Sequence, residues 1–265
     1  MEFIELQGMK MPVIGLGTWD LRGRECVEAV TTALDIGYRH IDTAQMYENE
    51  SEIGQALTRS SIPREDIFLT TKVWPSRLHY HDVMHSLGES LKMLNTDYVD
   101  LFLIHWPNPS IPLADTFKAM NDLKDQGRVR LIGVSNFDVD LLRQAREISP
   151  TPIANVQVEY HPFLSQKFLL EYCQQNDISL TAYCPLVRGR ELNNPVFEQI
   201  GKKYKKAAPQ VILRWLIQQK NVVAVPKAAR REHQLVNFDI FDFCLSDEEM
   251  QTISRLEQDK RIVFA

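Results

Sequence analysis

Short apolar runs rich in β-branched residues alternate along the chain with stretches whose apolar residues recur every three or four positions. The pattern predicts strands and amphipathic helices in turn: Val13–Leu16 then Arg24–Ile36, His40–Asp42 then Glu50–Arg59, Ile67–Val73 then Asp82–Leu94, and Tyr98–His105 then Leu113–Gln126. It continues with Val129–Ser135 then Val139–Glu147, Ile153–Val158 then Gln166–Asn176, Ile178–Tyr183 then Pro209–Gln219, and Val222–Val225 then Arg230–Val236. A last helix is predicted near Asp247–Gln258, with Ser246 as its N-cap. The strands are apolar almost throughout, as expected of strands buried on both faces in a parallel sheet. Eight such units predict either a closed (β/α)8 TIM barrel or an open doubly wound sheet, and the count favours the barrel. Ahead of them, Phe3–Leu6, Gly8 and Met11–Ile14 read as a β-hairpin closing the barrel floor.

One barrel accounts for all 265 residues, and no Pro/Gly/Ser-rich linker divides them, so a single domain over 1–265 is expected. A formal charge of −5 offers no basic field for nucleic acid or an anionic membrane. The local exception, Lys202 to Lys206, reads as the solvated face of a helix. Four scattered cysteines without a C-x-x-C pair point to reduced thiols in the cytoplasm and to no metal centre. The first residues lack the layout of a signal peptide, and no apolar run is long enough to span a bilayer. His81 and His85 have metal-ligand spacing, but on an outer helix they read as solvated surface.

In a barrel, chemistry belongs where strands end. Here the strands end in polar groups: Asp42, Lys72, His105, Ser135-Asn136, Gln157 with Glu159, and Lys227. A charge at the end of an apolar strand must find a partner or a ligand. Asp42, Lys72 and His105 end successive strands and therefore converge, and Tyr47 follows Asp42 closely enough to reach the same point. Lys72 beside the phenol favours phenolate and is expected to lower the Tyr47 pKa. Asp42 holds Lys72, and His105 can place an N–H where a carbonyl oxygen gains charge. That set suits reduction of an aldehyde or ketone if a cofactor supplies hydride. A buried Asp–Lys pair with bystander Tyr and His is the structural alternative. Gly15-Leu16-Gly17 lacks the third glycine of a dinucleotide fingerprint and reads as a tight strand-to-loop turn. Tyr183 offers a ring for stacking, Ser135, Asn136 and Gln157 offer bonds to a carboxamide, and Lys227 offers a cation near a helix N-terminus. Cys184 has no base partner and reads as core.

These residues form an ordered series of motifs: Gly15-Leu16-Gly17-Thr18-Trp19, Gly37 to Ala44, Tyr47-Glu48-Asn49-Glu50, Thr71-Lys72-Val73-Trp74, His105-Trp106-Pro107, Gly133 to Phe137, Gln157 to Pro162, Tyr183 to Leu186, Pro209 to Trp215 and Val225-Pro226-Lys227. In them the chain resembles the aldo-keto reductases, and among these the short prokaryotic type that includes 2,5-diketo-gluconate reductases. The resemblance implies a barrel binding NADPH/NADP+ across its carboxyl face and reducing a small carbonyl substrate as a cytoplasmic monomer. It implies Tyr47 as proton donor with Asp42, Lys72 and His105 completing the catalytic set. It further implies cofactor contacts from Thr18, Trp19, Asp42, Ser135, Asn136, Gln157, Tyr183, Leu186, Lys227, Ala228, His233 and Asn237, and a substrate pocket walled by Trp19, Trp74 and Trp106. Where the family usually has Ser or Thr and then Arg after the motif lysine, this chain has Ala228 and His233, so weaker 2′-phosphate binding and some use of NADH are expected. A non-catalytic regulatory barrel, like the β subunits of potassium channels, is the alternative function. A barrel aldolase or hydrolase using Lys72 as a Schiff base is another. The short loops after strands four and seven, and the end of the chain at Ala265, suggest an open pocket for broad, polar substrates.

Overall fold

The computed structural model describes residues 1–263. Strands Phe3–Leu6 (β1) and Met9–Pro12 (β2) form an antiparallel hairpin, joined by Gln7 and Gly8 at φ of 48° and 82°. Two consecutive positive φ values make the tight two-residue turn whose twist matches that of the strands. The turn sets Met9 opposite Leu6, so the second hairpin strand starts two residues earlier than the expected Met11.

Eight parallel strands follow: Leu16–Gly17 (β3), His40–Asp42 (β4), Phe68–Val73 (β5), Val99–Ile104 (β6), Val129–Ser135 (β7), Asn155–Glu159 (β8), Ser179–Tyr183 (β9) and Val222–Ala224 (β10). They pair in sequence order. The two ends of the series meet: Ile14 bridges Ala224 and Gly17 bridges Lys227, both parallel, with Gly15 N–H donating to Ala224 O at 2.9 Å and Gly17 N–H to Pro226 O at 3.1 Å. The sheet is therefore closed, a (β/α)8 barrel.

That seam corrects the reading of Gly15-Leu16-Gly17 as a turn. Neither glycine has a positive φ. A Cβ on Gly15 would stand 2.7 Å from Nδ1 of the buried His40, and one on Gly17 2.6 Å from Val225 O. Gly17 is there so that the first and last strands can touch, and Gly15 leaves room for the His40 ring of β4.

Helices Gly23–Ile36 (α1), Glu50–Arg59 (α2), Tyr80–Leu94 (α3), Leu113–Asp125 (α4), Val139–Ile148 (α5), Lys167–Gln175 (α6), Pro195–Tyr204 (α7), Ala208–Ile217 (α8), Arg231–Phe238 (α9) and Asp247–Ser254 (α10) surround the strands. All but α9 bury an apolar stripe in one continuous core between strands and helices, while α9 buries Gln234 and Asn237 and packs Phe238 against the core. Ser246 caps α10 as expected, with Glu249 reaching back to the Ser246 N–H at 2.7 Å. The basic run departs from expectation. Helix α7 ends at Tyr204, Lys205 turns left-handed at φ 55°, and Lys206 folds inward to pair with Asp239 at 2.8 Å and Asp242 at 2.7 Å. A separate cluster fills the barrel floor: Leu6 and Met11 from the hairpin with Phe68, Leu101, Leu103, Leu131, Ala154 and Val223. The hairpin is thus the plug that the sequence suggested. Among the described residues no helix is long and apolar enough to cross a membrane.

Candidate active site

Period-two alternation carries every second residue of a strand into the barrel. Asp42 on β4 and Lys72 on β5 both project inward at the carboxyl end. Lys72 Nζ donates to Asp42 Oδ1 at 2.6 Å and to Thr43 O at 2.8 Å, and Gln157 Nε2, from β8 across the barrel, donates to Asp42 Oδ2 at 2.7 Å. Both carboxylate oxygens are satisfied, and Lys72 is 1% exposed. Burial alone would lower the Lys72 pKa, but Asp42 and Tyr47 more than reverse it, so the side chain stays an ammonium.

Tyr47 ends a short 3-10 turn, Gln45–Tyr47, after which Glu48 takes φ 53°. The fully buried Asn49 fixes this loop: its Nδ2 donates to Thr18 O at 2.8 Å and Leu21 O at 3.1 Å, and its Oδ1 accepts from Thr43 Oγ1 at 2.9 Å. Lys72 Nζ comes to lie 5.1 Å from the centre of the Tyr47 ring. Rings of Tyr47 and Trp74 meet His105 edge-on, at 5.6 and 5.3 Å between centroids.

The expected direction of the Tyr47 shift is reversed. Burial is the largest influence and pushes the phenol up, with the Lys72 cation pulling against it. The hydroxyl therefore holds its proton at neutral pH, as an acid must. Burial, reinforced by Lys72, drives His105 down to about 3, so its imidazole is neutral.

These groups stand on the wall of a cavity of about 940 Å3 that runs from Trp74, His105 and Trp106 to Lys227, His233 and Asn237. Thr18, Trp19, Asp42, Tyr47, Asn136, Gln157, Tyr183, Leu186 and Ala228 line it too. Ser135 and Lys72 are absent from the lining. Ser135 lies behind Asn136, donating to Gln157 O at 2.8 Å, and Lys72 lies beneath Asp42. Asn136, at φ 62°, donates to His105 O at 2.9 Å and accepts from the Tyr183 hydroxyl at 2.8 Å. One hydrogen-bonded chain therefore joins the Tyr183 ring, the Asn136 amide and the backbone of His105.

Sequence reasoning missed several lining residues. Arg188 lies over the Trp19 ring at 4.6 Å, in a loop where Val187 and Arg188 both have φ near 53°. His233 lines the cavity where the sequence placed it, and Arg230, whose Nη2 approaches His233 Nε2 at 3.0 Å, lines it too. Cys184 belongs to the cavity wall, and the reading of it as core is corrected; burial raises its thiol pKa, which leaves it a poor nucleophile. Short loops and the end of the chain suggested an open pocket, yet Gly189 and Leu192 of the loop after β9 and Val263 of the C-terminal segment wall it. Apolar periodicity carries no signal for such irregular segments. His81 and His85 are exposed on α3, where His85 meets Glu89 at 3.4 Å.

The model of the Aldo/keto reductase family matches residues 13–258. The 9,11-endoperoxide prostaglandin H2 reductase of Trypanosoma cruzi (strain CL Brener) is 42% identical over 96% of this chain and 90% of its own length. The glyoxal reductase of Bacillus subtilis (strain 168) is also 42% identical, over 96% and 92%. The crystal structure of a Bombyx mori aldo-keto reductase in complex with NADP superposes with a TM-score of 0.93 at 32% identity, covering 99% of this chain and 95% of the other. Closed barrel, strand-end polar groups and matched length lead to one conclusion: the chain belongs to the aldo/keto reductase family and is an enzyme of it.

Proposed function

We propose that this enzyme, acting as a cytoplasmic monomer with residues 1–265 as one catalytic unit, reduces aldehydes and ketones to alcohols with NADPH, the proton coming from Tyr47. The observation that carries the reading is the buried Lys72–Asp42–Gln157 network directly behind Tyr47, on the wall of a cavity large enough for both a dinucleotide and a small carbonyl compound.

The residues present fit such a cofactor. Tyr183 offers its ring face, Asn136 and Gln157 present amides, and Ser135 fixes Asn136 from behind. Lys227 and Arg230 gather positive charge beside the first turn of α9, with His233 next to Arg230, where phosphate is favoured. NADPH, when bound, supplies the hydride. The rest is the work of the chain. Tyr47 keeps its proton until an alkoxide develops within reach, then donates it. Lys72 spends hydrogen bonds on Asp42 and Thr43 and directs its remaining charge at the phenolate left behind. The neutral His105 can donate one hydrogen bond to the carbonyl oxygen without competing as an acid. A Schiff-base role for Lys72 is disfavoured, because its ammonium is buried and paired. A purely regulatory barrel is disfavoured by the full set of Tyr47, Asp42, Lys72 and His105 and by relatives named as reductases.

Two features bear on cofactor choice. Ala228 and His233 lack the fixed charge that a 2′-phosphate prefers, while Arg230 beside His233 partly restores it. NADPH is therefore preferred and NADH remains usable. The test is steady-state oxidation of both cofactors with glyoxal, methylglyoxal and a keto-gluconate. A kcat/KM ratio above about a thousand, or ~4 kcal/mol of discrimination, would overturn the cofactor reading. No turnover of any carbonyl by the wild type would overturn the reductase reading itself.

A further inference from the structure

Glu159 ends β8 two residues beyond Gln157 and takes no part in the network around Asp42. Its side chain is fully buried, as is that of His161. A carboxylate in such a place must be hydrogen-bonded to be tolerated. It accepts from His161 Nε2 at 3.0 Å, from the Ile262 N–H at 2.6 Å and from the Val263 N–H at 2.9 Å. The Phe163 N–H donates to His161 Nδ1 at 3.3 Å, which leaves the imidazole proton on Nε2, aimed at Glu159. Burial works against the charge, but His161 and the two backbone amides outweigh it and hold the carboxyl below its usual range.

The two amides belong to the C-terminal segment, more than a hundred residues away in sequence. That segment is tied down twice more. Gln258 and Lys260 N–H both donate to Phe163 O, at 3.2 and 2.9 Å, and the Lys260 ammonium pairs with Glu191. Val263, whose N–H rests on Glu159, is the one described residue of this segment that lines the cavity. A carboxylate outside the cavity thus decides where one wall of the cavity stands.

We propose that Glu159 is a positioning residue for substrate selection: its carboxylate fixes the backbone at Ile262 and Val263, so that carbonyl substrates long enough to touch Val263 are held by that wall. The kinetic half of this inference rests on the reductase reading; the clamp itself does not. The competing account is that the Glu159–His161 pair only stabilises the end of β8.

Two full-length variants separate the accounts. Glu159→Gln keeps the size of the side chain and removes its charge. Ile262→Pro removes one donor from the other side, at a side chain only partly buried against the core, and leaves Glu159 and His161 in place. The first readout is amide hydrogen exchange, which needs no turnover. In Glu159→Gln the Ile262 and Val263 amides are expected to exchange at least about tenfold faster, as a locally opened segment does. The second is a split in the kinetics: KM for a long-chain or aromatic aldehyde rises about tenfold in either variant with kcat unchanged, KM for glyoxal stays put, and the double variant is no worse than either single one. Wild-type protection of both amides in Glu159→Gln overturns the clamp. Equal changes for glyoxal and the long aldehyde, or additive effects of the two substitutions, overturn its role in selection. If no carbonyl is reduced at all, it is the reductase reading that has failed, and hydrogen exchange still decides the clamp.

Discussion

Along β5, Phe68 points into the barrel floor with Leu6, Met11, Leu101 and Val223, whereas Lys72, four residues on, points into the mouth against Asp42. The contrast recurs on β6, where Leu101 and Leu103 lie in the floor and His105 follows the end of the strand at the mouth. At the floor the neighbours are interchangeable hydrocarbon, and what matters is volume. At the mouth polar groups meet specific partners, Lys72 and Gln157 on Asp42 and the Tyr183 hydroxyl on Asn136, and what matters is geometry. The floor should therefore respond to substitution in stability and the mouth in rate. Where a mouth residue affects both, the excess measures how much buried charge the fold carries for the sake of chemistry.

The largest effect belongs to Tyr47→Phe, which should lower kcat by about 10²–10⁴ while leaving the melting temperature close to that of the wild type. A large fall in melting temperature would break the contrast, since it would make the proposed proton donor a structural residue. Next comes Lys72→Met, which strands Asp42 in the interior and should cost about 3–5 kcal/mol in urea unfolding. Adding Asp42→Asn should restore most of that stability and none of the activity. Of similar or smaller size, Phe68→Ala should cost about 3 kcal/mol and leave kcat/KM unchanged, because the cavity it opens is in the floor. A change in KM there would mean that the floor and the mouth communicate.

Acid titration gives the smallest and most selective comparison. Burial lowers His40 from 6.5 to about 4 and His105 from 6.5 to about 3. The unfolded chain therefore binds protons that the folded one refuses between about pH 6.5 and those values. Stability contributed by the neutral rings is complete above pH 6.5 and is lost as the pH falls through that window. Each histidine can add at most about 1.4 kcal/mol per pH unit to the slope. His105→Gln should remove the share of the mouth and leave that of His40, which sits lower in the barrel beside Gly15. Thermal melts from pH 7 to 4.5 would read the difference, and an unchanged slope would show that His105 is not held neutral.

The eight strand–helix units were legible because apolar spacing is a local property, and so was the convergence of Asp42, Lys72, His105 and Tyr47 at strand ends. The role of Gly15 and Gly17 was not, since what their missing side chains avoid is His40 and the backbone of Val225. Only the folded ring shows those neighbours. The sign of the Tyr47 shift was misjudged for a related reason: the spacing showed the cation, while the extent of burial depends on every wall of the cavity. Arg188, Cys184 and Val263 escaped notice as lining residues because irregular segments have no period to read. The Glu159 contacts with Ile262 and Val263 join parts of the chain that share no pattern at all.

The glycine seam also sets a clock. Ile14 and Ala224, which meet across it, are about 210 residues apart. At the ribosome's pace of about 5–20 residues per second, the first barrel strand waits roughly 10–40 seconds for its last neighbour to be made. During that interval the half-built sheet has an open edge, and nascent chains with open edges are the ones that pair wrongly or need a chaperone. Thr18 and Lys227 face the cavity from the two sides of that seam. A ligand that touches both is bound by the closed ring alone, and by mass action it favours chains that have finished closing.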